Sequence, residues 1–170
     1  MPSEVEAAQL LLLAALEGAP RLRSGIRFSF EPFEPKLMIG ALFPFAQTTD
    51  GVTVRVSVSF LPEQSQPGLK RWFWAYHIRI ENEGELPVQL LTRHWRIVDG
   101  TGEVHEVMGE GVVGVQPIIA PGSSYDYVSG CPLTTPEGSM VGSYEMVDGD
   151  DRHFLVAIPH FPLVATSLAS

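Results

Sequence analysis

From residue 48 the chain settles into a period of two. Val52, Val54, Val56, Val58 and Phe60 alternate with Thr53, Arg55, Ser57 and Ser59, the pattern of a strand with one buried face. Pro62 closes that run and the next repeats its logic, with Trp72, Trp74, Tyr76, Ile78 and Ile80 on one face and His77, Arg79 and Glu81 on the other. ENEGELP then turns the chain. Residues 88–98, VQLLTRHWRIV, begin apolar at even positions (Val88, Leu90) and finish apolar at odd ones (Leu91, Trp95, Ile97). A phase change within one strand predicts a bulge, or a strand buried on both faces. DGTG at 99–102 predicts a hairpin turn, and further strands are predicted near 103–108, 124–129, 139–147 and 153–159. Many short strands with no helix between them predict an all-β antiparallel β-sandwich.

The first 47 residues follow a different pattern. Ser3 and Glu6 form an S-x-x-E capping box and Gly18-Ala19-Pro20 supplies a stop, so a short helix is predicted over residues 4–17. Leu10, Leu11, Leu12 and Leu13 cover more than one face of it, so it packs on the domain or on a second chain as a homodimer contact. Residues 19–47 mix aromatics with prolines, which remove ladder donors, and are predicted to be irregular but surface-bound. The chain therefore divides into an extension (1–47) and a sandwich domain (48–166). Glu4 and Glu6 stand where a signal peptide needs positive charge, and the apolar run is shorter than the ~20 residues of a membrane span. The expectation is a soluble, cytoplasmic protein with no membrane partner.

Composition narrows the function classes. A length of 170 residues and 45% hydrophobic content fit one domain with a packed core. Eleven Lys+Arg against 20 Asp+Glu give a net charge of −9, which repels phosphate backbones and argues against nucleic acid as partner. The single cysteine, Cys131, forms no internal disulfide and fits a reducing compartment.

Gly109-Glu110-Gly111-Val112-Val113-Gly114 matches G-x-G-x-x-G. A dinucleotide site needs a helix after the third glycine, because the positive end of the helix dipole holds the pyrophosphate. VQPIIAPGSS follows instead, and its prolines preclude that helix. Two readings remain. The loop is an anion-binding nest for phosphate, pyrophosphate or a nucleotide, with His105 and Arg93 or Arg96 offsetting Glu106 and Glu110, or its glycines permit positive φ and close packing. The histidines at 77, 94, 105, 153 and 160 show no H-x-H, H-x-E or HxxxH spacing, so no metal site is assigned, and Mg²⁺ or Co²⁺ enters only as a weak contact or ligand bridge. No G-x-S-x-G elbow marks a nucleophile, and nothing in the spacing of Ser123, Asp126 and His105 brings them together. No enzyme is expected. Arg93, His94 and Trp95, with Trp72, Trp74 and IPHFPL (158–163), concentrate residue types favoured at binding hot spots, although the tryptophans also suit a sandwich core.

VSFLPEQSQP (58–67), IENEGELPVQLLTRHWRI (80–97), GEVHEVMGEGVVGVQPIIAPGSSYDYVSG (102–130), GSMVGSYEM (138–146) and FLVAIPHFPL (154–163) together resemble the ApaG family, in order, over about residues 48–163. The resemblance includes the Arg93-His94-Trp95 element and the glycines at 109, 111 and 114. It implies a seven-stranded fibronectin-III-like, immunoglobulin-like sandwich and a non-enzymatic protein-interaction module. The family also implies a genetic link to cobalt and magnesium homeostasis in its free-standing bacterial form. Similar domains serve as adaptors at the end of certain F-box proteins. Residues 1–47 depart from the free-standing form. The partner- or ligand-binding candidates are Gly109, Gly111, Gly114, Arg93, His94, Trp95 and His105.

Overall fold

The structure, a computed structural model, describes residues 35–166. One short helix, α1 (Pro35–Leu42), precedes nine strands: β1 (Phe45–Thr49), β2 (Val52–Phe60), β3 (Trp72–Asn82), β4 (Val88–Asp99), β5 (Val104–Glu110), β6 (Ile118–Ile119), β7 (Ser124–Leu133), β8 (Glu137–Asp148) and β9 (His153–Val164). They form two antiparallel sheets. One runs β1-β2-β3-β7 and the other β5-β4-β8-β9, with β6 pairing the start of β4. No helix among the described residues is long and apolar enough to cross a membrane.

Every strand read from alternation is present. Two were not read. The lead-in expected to be irregular through residue 47 contains both α1 and β1, and β1 pairs with β2 from Phe45↔Val56 to Thr49↔Val52, so the sandwich begins before residue 48. β1 is an edge strand of mostly polar residues, and an edge strand buries too little to leave an alternating pattern. β6 is two residues long and leaves none. The helix expected over residues 4–17 lies outside the described residues.

Alternation fills the space between the sheets. Val52, Val54, Val56, Trp74, Tyr76, Ile78 and Ile80 descend from the first sheet onto Leu90, Trp95, Met140, Tyr144, Val156, Ile158 and Phe161 of the second. The rings meet edge-on: Tyr76 and Trp95 centroids are 5.4 Å apart, and Trp95 and Phe161 are 6.0 Å apart at 88°. Such contacts add about 0.5–1.5 kcal/mol per pair to the burial itself. Two polar links cross the same space. The Tyr127 and Tyr144 hydroxyls, on β7 and β8, hydrogen-bond to each other, and the Trp74 indole N–H donates to the Val164 carbonyl at 3.2 Å. Burial raises the pKa of both tyrosines, so both hydroxyls stay protonated at neutral pH.

The tyrosine link yields a prediction. Tyr127→Phe strands the buried Tyr144 hydroxyl, and urea denaturation should show a loss of about 1–3 kcal/mol. The double replacement Y127F/Y144F removes both polar partners and should recover part of that loss. A double mutant as unstable as the sum of the singles would show that the hydroxyls do not act as a pair.

Candidate functional site

β4 holds one register with β8 from Asp99↔Gly138 to Thr92↔Glu145, then slips, so that Leu90 opposes Met146 and Leu91 has no partner. This is the bulge that the phase change predicts. The extra residue inverts the side-chain parity downstream: Arg93, Trp95 and Ile97 turn inward, while Thr92, His94 and Arg96 turn outward. The bulged carbonyl of Leu91 accepts two hydrogen bonds, from the Gly111 N–H at 2.8 Å and from Gln116 Nε2 at 2.9 Å.

The glycine loop is built around that carbonyl. Gly111 has φ +60°, and a Cβ there would stand 2.3 Å from the Val115 carbonyl oxygen. Val112 and Val115 exchange N–H···O bonds of 2.8 and 3.1 Å across Val113 (φ +50°) and Gly114 (φ +75°), the two positive φ values of a type I′ turn. Gly109 lies under the Arg93 guanidinium, where a Cβ would meet Nη1 at 2.9 Å. Arg93 Nη1 in turn donates to the carbonyls of Glu110 and Gly111 at 3.0 and 2.9 Å. The amides of Gly111, Val112 and Val115 and the Arg93 charge all serve this internal structure, so the geometry favours the packing role of the glycines over an anion nest. The tip amides of Val113 and Gly114 have no backbone acceptor among the described residues.

The remaining candidates separate by side of the sheet. Trp95, offered as a partner-binding residue, is a core residue at 2% exposure, and Arg93 points the same way. Bulge parity, not residue type, decides both. Trp74 is buried as well, and Trp72 is partly buried against the core. His94 alone of its triplet faces outward, at the centre of the outer face of the β5-β4-β8-β9 sheet. It is flanked by Met108 and Ser143 in register. Its Nε2 is shielded from solvent without a hydrogen-bond partner and lies 3.5 Å from Glu106 Oε2, within ion-pair reach only. On the same face Met108 is 75% exposed, Leu155 65% and Val104 42%.

The outer face of the other sheet has a different chemistry. Arg55 bonds Glu81 at 3.0 Å, Arg79 bonds Glu81 at 3.0 Å and Asp126 at 2.9 Å, and His77 Nε2 lies 2.8 Å from Asp126. Phe43 packs edge-on against the His77 ring at 4.8 Å. The hydrogen bond of His77 Nε2 goes to Asp126 Oδ1, and Arg79 Nη1 donates to Oδ2 of the same carboxylate. Asp126 and His105, tested together in sequence, sit on different sheets.

His105 joins a group that the histidine spacing did not reveal. Asp99, Glu103 and His105 each offer one ligand atom, all within 4.8 Å of one another. The readable signal was Glu103-x-His105, the reverse of the H-x-E order. Asp99 Oδ1 already accepts bonds from the Thr101 hydroxyl, the Thr101 amide and the Glu103 amide at 2.7, 2.8 and 3.0 Å. The Thr101 hydroxyl bond leads the causes that hold the Asp99 carboxyl below the usual carboxylate range. The group thus serves first as the Asx turn of the β4–β5 hairpin.

A two-sheet antiparallel sandwich with a bulged central strand and a docked glycine loop defines the class of protein. An ApaG domain model matches residues 62–148. Protein ApaG of Rhodospirillum centenum is 51% identical over 119 residues, 70% of this chain and 92% of that protein, and Protein ApaG of Afipia carboxidovorans is 53% identical over 119 residues with the same coverage. The protein from Bordetella pertussis solved under the name ApaA superposes with a TM-score of 0.66 at 46% identity, covering 68% of this chain and 94% of that one. The chain belongs to the ApaG family.

Two glycines should respond differently to the same substitution. Gly111→Ala forces a methyl group into the Val115 carbonyl at an unfavourable φ and should cost about 3–4 kcal/mol. Gly114→Ala, with open space around it, should cost only about 1–2 kcal/mol. Equal shifts in thermal midpoint would remove the docking role assigned to Gly111. The thiol gives a second readout: Cys131 is 1% exposed and burial pushes its pKa up to about 12, so alkylation at neutral pH should proceed only as fast as the domain opens.

Proposed function

We propose that the protein is a non-enzymatic binding module that receives a protein partner on the outer face of its β5-β4-β8-β9 sheet, centred on His94. The observation that carries this reading is the contrast between the two outer faces. On the first sheet the arginines and carboxylates satisfy one another. On the second, Met108, Leu155 and Val104 stand exposed, and the Nε2 of His94 has no hydrogen-bond partner. Solvent-facing apolar side chains on one face with an unsatisfied polar atom are the ingredients of a binding surface, with apolar area for affinity and a directed bond for register.

On this reading the Arg93-His94-Trp95 triplet divides its labour: Arg93 and Trp95 hold the scaffold and His94 meets the partner. A link to cobalt or magnesium homeostasis, or an adaptor role like that of F-box architectures, then acts through the partner rather than through an ion bound to this chain. The net charge of −9 makes a nucleic acid an unsuitable partner.

The test compares the two faces by affinity capture with quantitative mass spectrometry. Met108→Glu and Leu155→Glu should each deplete captured partners several-fold with the thermal midpoint nearly unchanged. Ser57→Glu, on the outer face of the other sheet, should leave capture intact. Equal capture by all three variants would place the partner elsewhere and defeat the reading.

A further inference from the structure

The edge of β5 presents a second set of unfilled groups. Four strands border the two sheets, and three are guarded. β1 and β9 close on each other, and β9 carries Pro159 and Pro162. β7 carries Pro132, and its one outward charge, Asp126, is held by His77 and Arg79. β5 ends its sheet without such protection: seven residues, no proline, no lysine, and an uninterrupted register with β4 from Thr92↔Glu110 to Val98↔Val104. Among the described residues no loop or side chain bonds the backbone of residues 104–109 from the free side. Such an edge presents a row of donors and acceptors to an added strand.

The side chains along the edge define what that strand must carry. Residues opposed in register share a face, so Glu106, Met108 and Glu110 stand with Arg96, His94 and Thr92 on the outer face of the sheet. They read acid, apolar, acid at every second position. Among the described residues the Glu110 carboxylate has no ion-pair partner, and that of Glu106 reaches only His94, at 3.5 Å. Arg96 opposes Glu106 in register without pairing with it. Met108, between the two carboxylates, is exposed. We propose that the free edge of β5 receives an extended segment of a protein partner as an antiparallel strand, with a basic, an apolar and a basic residue alternating on its outer face.

This inference rests on the reading of the outer face as the partner surface and names the part of the partner that docks there. Each of the three residues then lies opposite its complement: a cation on Glu110, an apolar side chain on Met108 and a cation on Glu106. Backbone bonds supply affinity and the alternate side chains supply selection. The net charge of −9 adds long-range attraction for a basic segment. A second copy is the wrong occupant. A twofold β5 pair centred on Val107 sets Glu106 against Met108 and Val104 against Glu110, and one centred on Glu106 or Met108 sets carboxylate against carboxylate.

The test titrates the isotope-labelled full chain with the capped peptide TRTVTRT, read by NMR. Saturable shifts should centre on β5, and the β5 amides that point away from β4 should exchange roughly tenfold more slowly at saturation. Methylating one alternate set of peptide amides should weaken binding roughly tenfold, and methylating the other set should change it little, because only one set faces β5. TETVTET should fail on the native protein and bind E106R/E110R, which should reject TRTVTRT. Shifts that are absent at millimolar peptide, or centred away from β5, overturn the proposal. Equal binding by the parent and both methylated forms also overturns it, because charge attraction alone then holds the peptide. β5 protection that rises with protein concentration, without peptide, overturns it in favour of a second copy. The titration uses no cellular partner. If it fails while Met108→Glu still depletes capture, strand addition alone falls; if it succeeds while capture is equal in all variants, the outer-face reading alone falls.

Discussion

The carbonyl of Leu91 organises much of this molecule. Leu91 has no register partner in β8, and the Gly111 amide and the Gln116 side chain both donate to its carbonyl. A carbonyl shielded from water costs about 1–3 kcal/mol unless something donates to it. The glycine loop is the donor, and everything distinctive about that loop follows from the need to reach the bulge. Gly111 permits the approach, the turn at Val113–Gly114 returns the chain, and Arg93 holds the carbonyls that the turn leaves pointing inward. The two most recognisable motifs of the sequence, the R-H-W triplet and the three glycines, form a single structural device.

That device also decides which side chains face a partner. With an unbroken β4, Leu90 would share its face with Thr92, His94 and Arg96, placing a cationic pair in the core and Trp95 in solvent. The bulge exchanges the two sets. Function, on the reading advanced above, depends on a one-residue insertion rather than on the identity of His94 alone. The outer face that results is flanked by β5, whose hairpin turn is fixed by Asp99 through three bonds to one carboxylate oxygen.

How much of this was legible follows from the same physics. The strands that bury one face announced themselves by alternation, and even the bulge showed as a change of phase between Leu90 and Leu91. The inward turn of Arg93 and Trp95 did not, because parity across a bulge depends on where the extra residue sits, and hot-spot composition points outward by default. β1 escaped because Gln47, Thr48 and Thr49 carry no apolar period at an edge. The Asp99–Glu103–His105 grouping depends on a tight turn that folds one strand end over another, and only its E-x-H spacing was visible along the chain.

Closure of the sandwich has a consequence for synthesis. The last strand, β9, lies beside β8 and packs across β1 and β2, and its Val164 carbonyl receives the Trp74 indole proton. The domain thus joins its first strand to its last, and most contacts that fill its core span much of the chain. A ribosome emitting this protein releases β1 through β8 as a sheet pair open along one seam, with Tyr76 and Trp95 lacking Phe161 between them. Such a nascent chain cannot complete its core until residue 164 clears the exit tunnel, and a stall within β9 leaves a sticky intermediate for chaperones to hold.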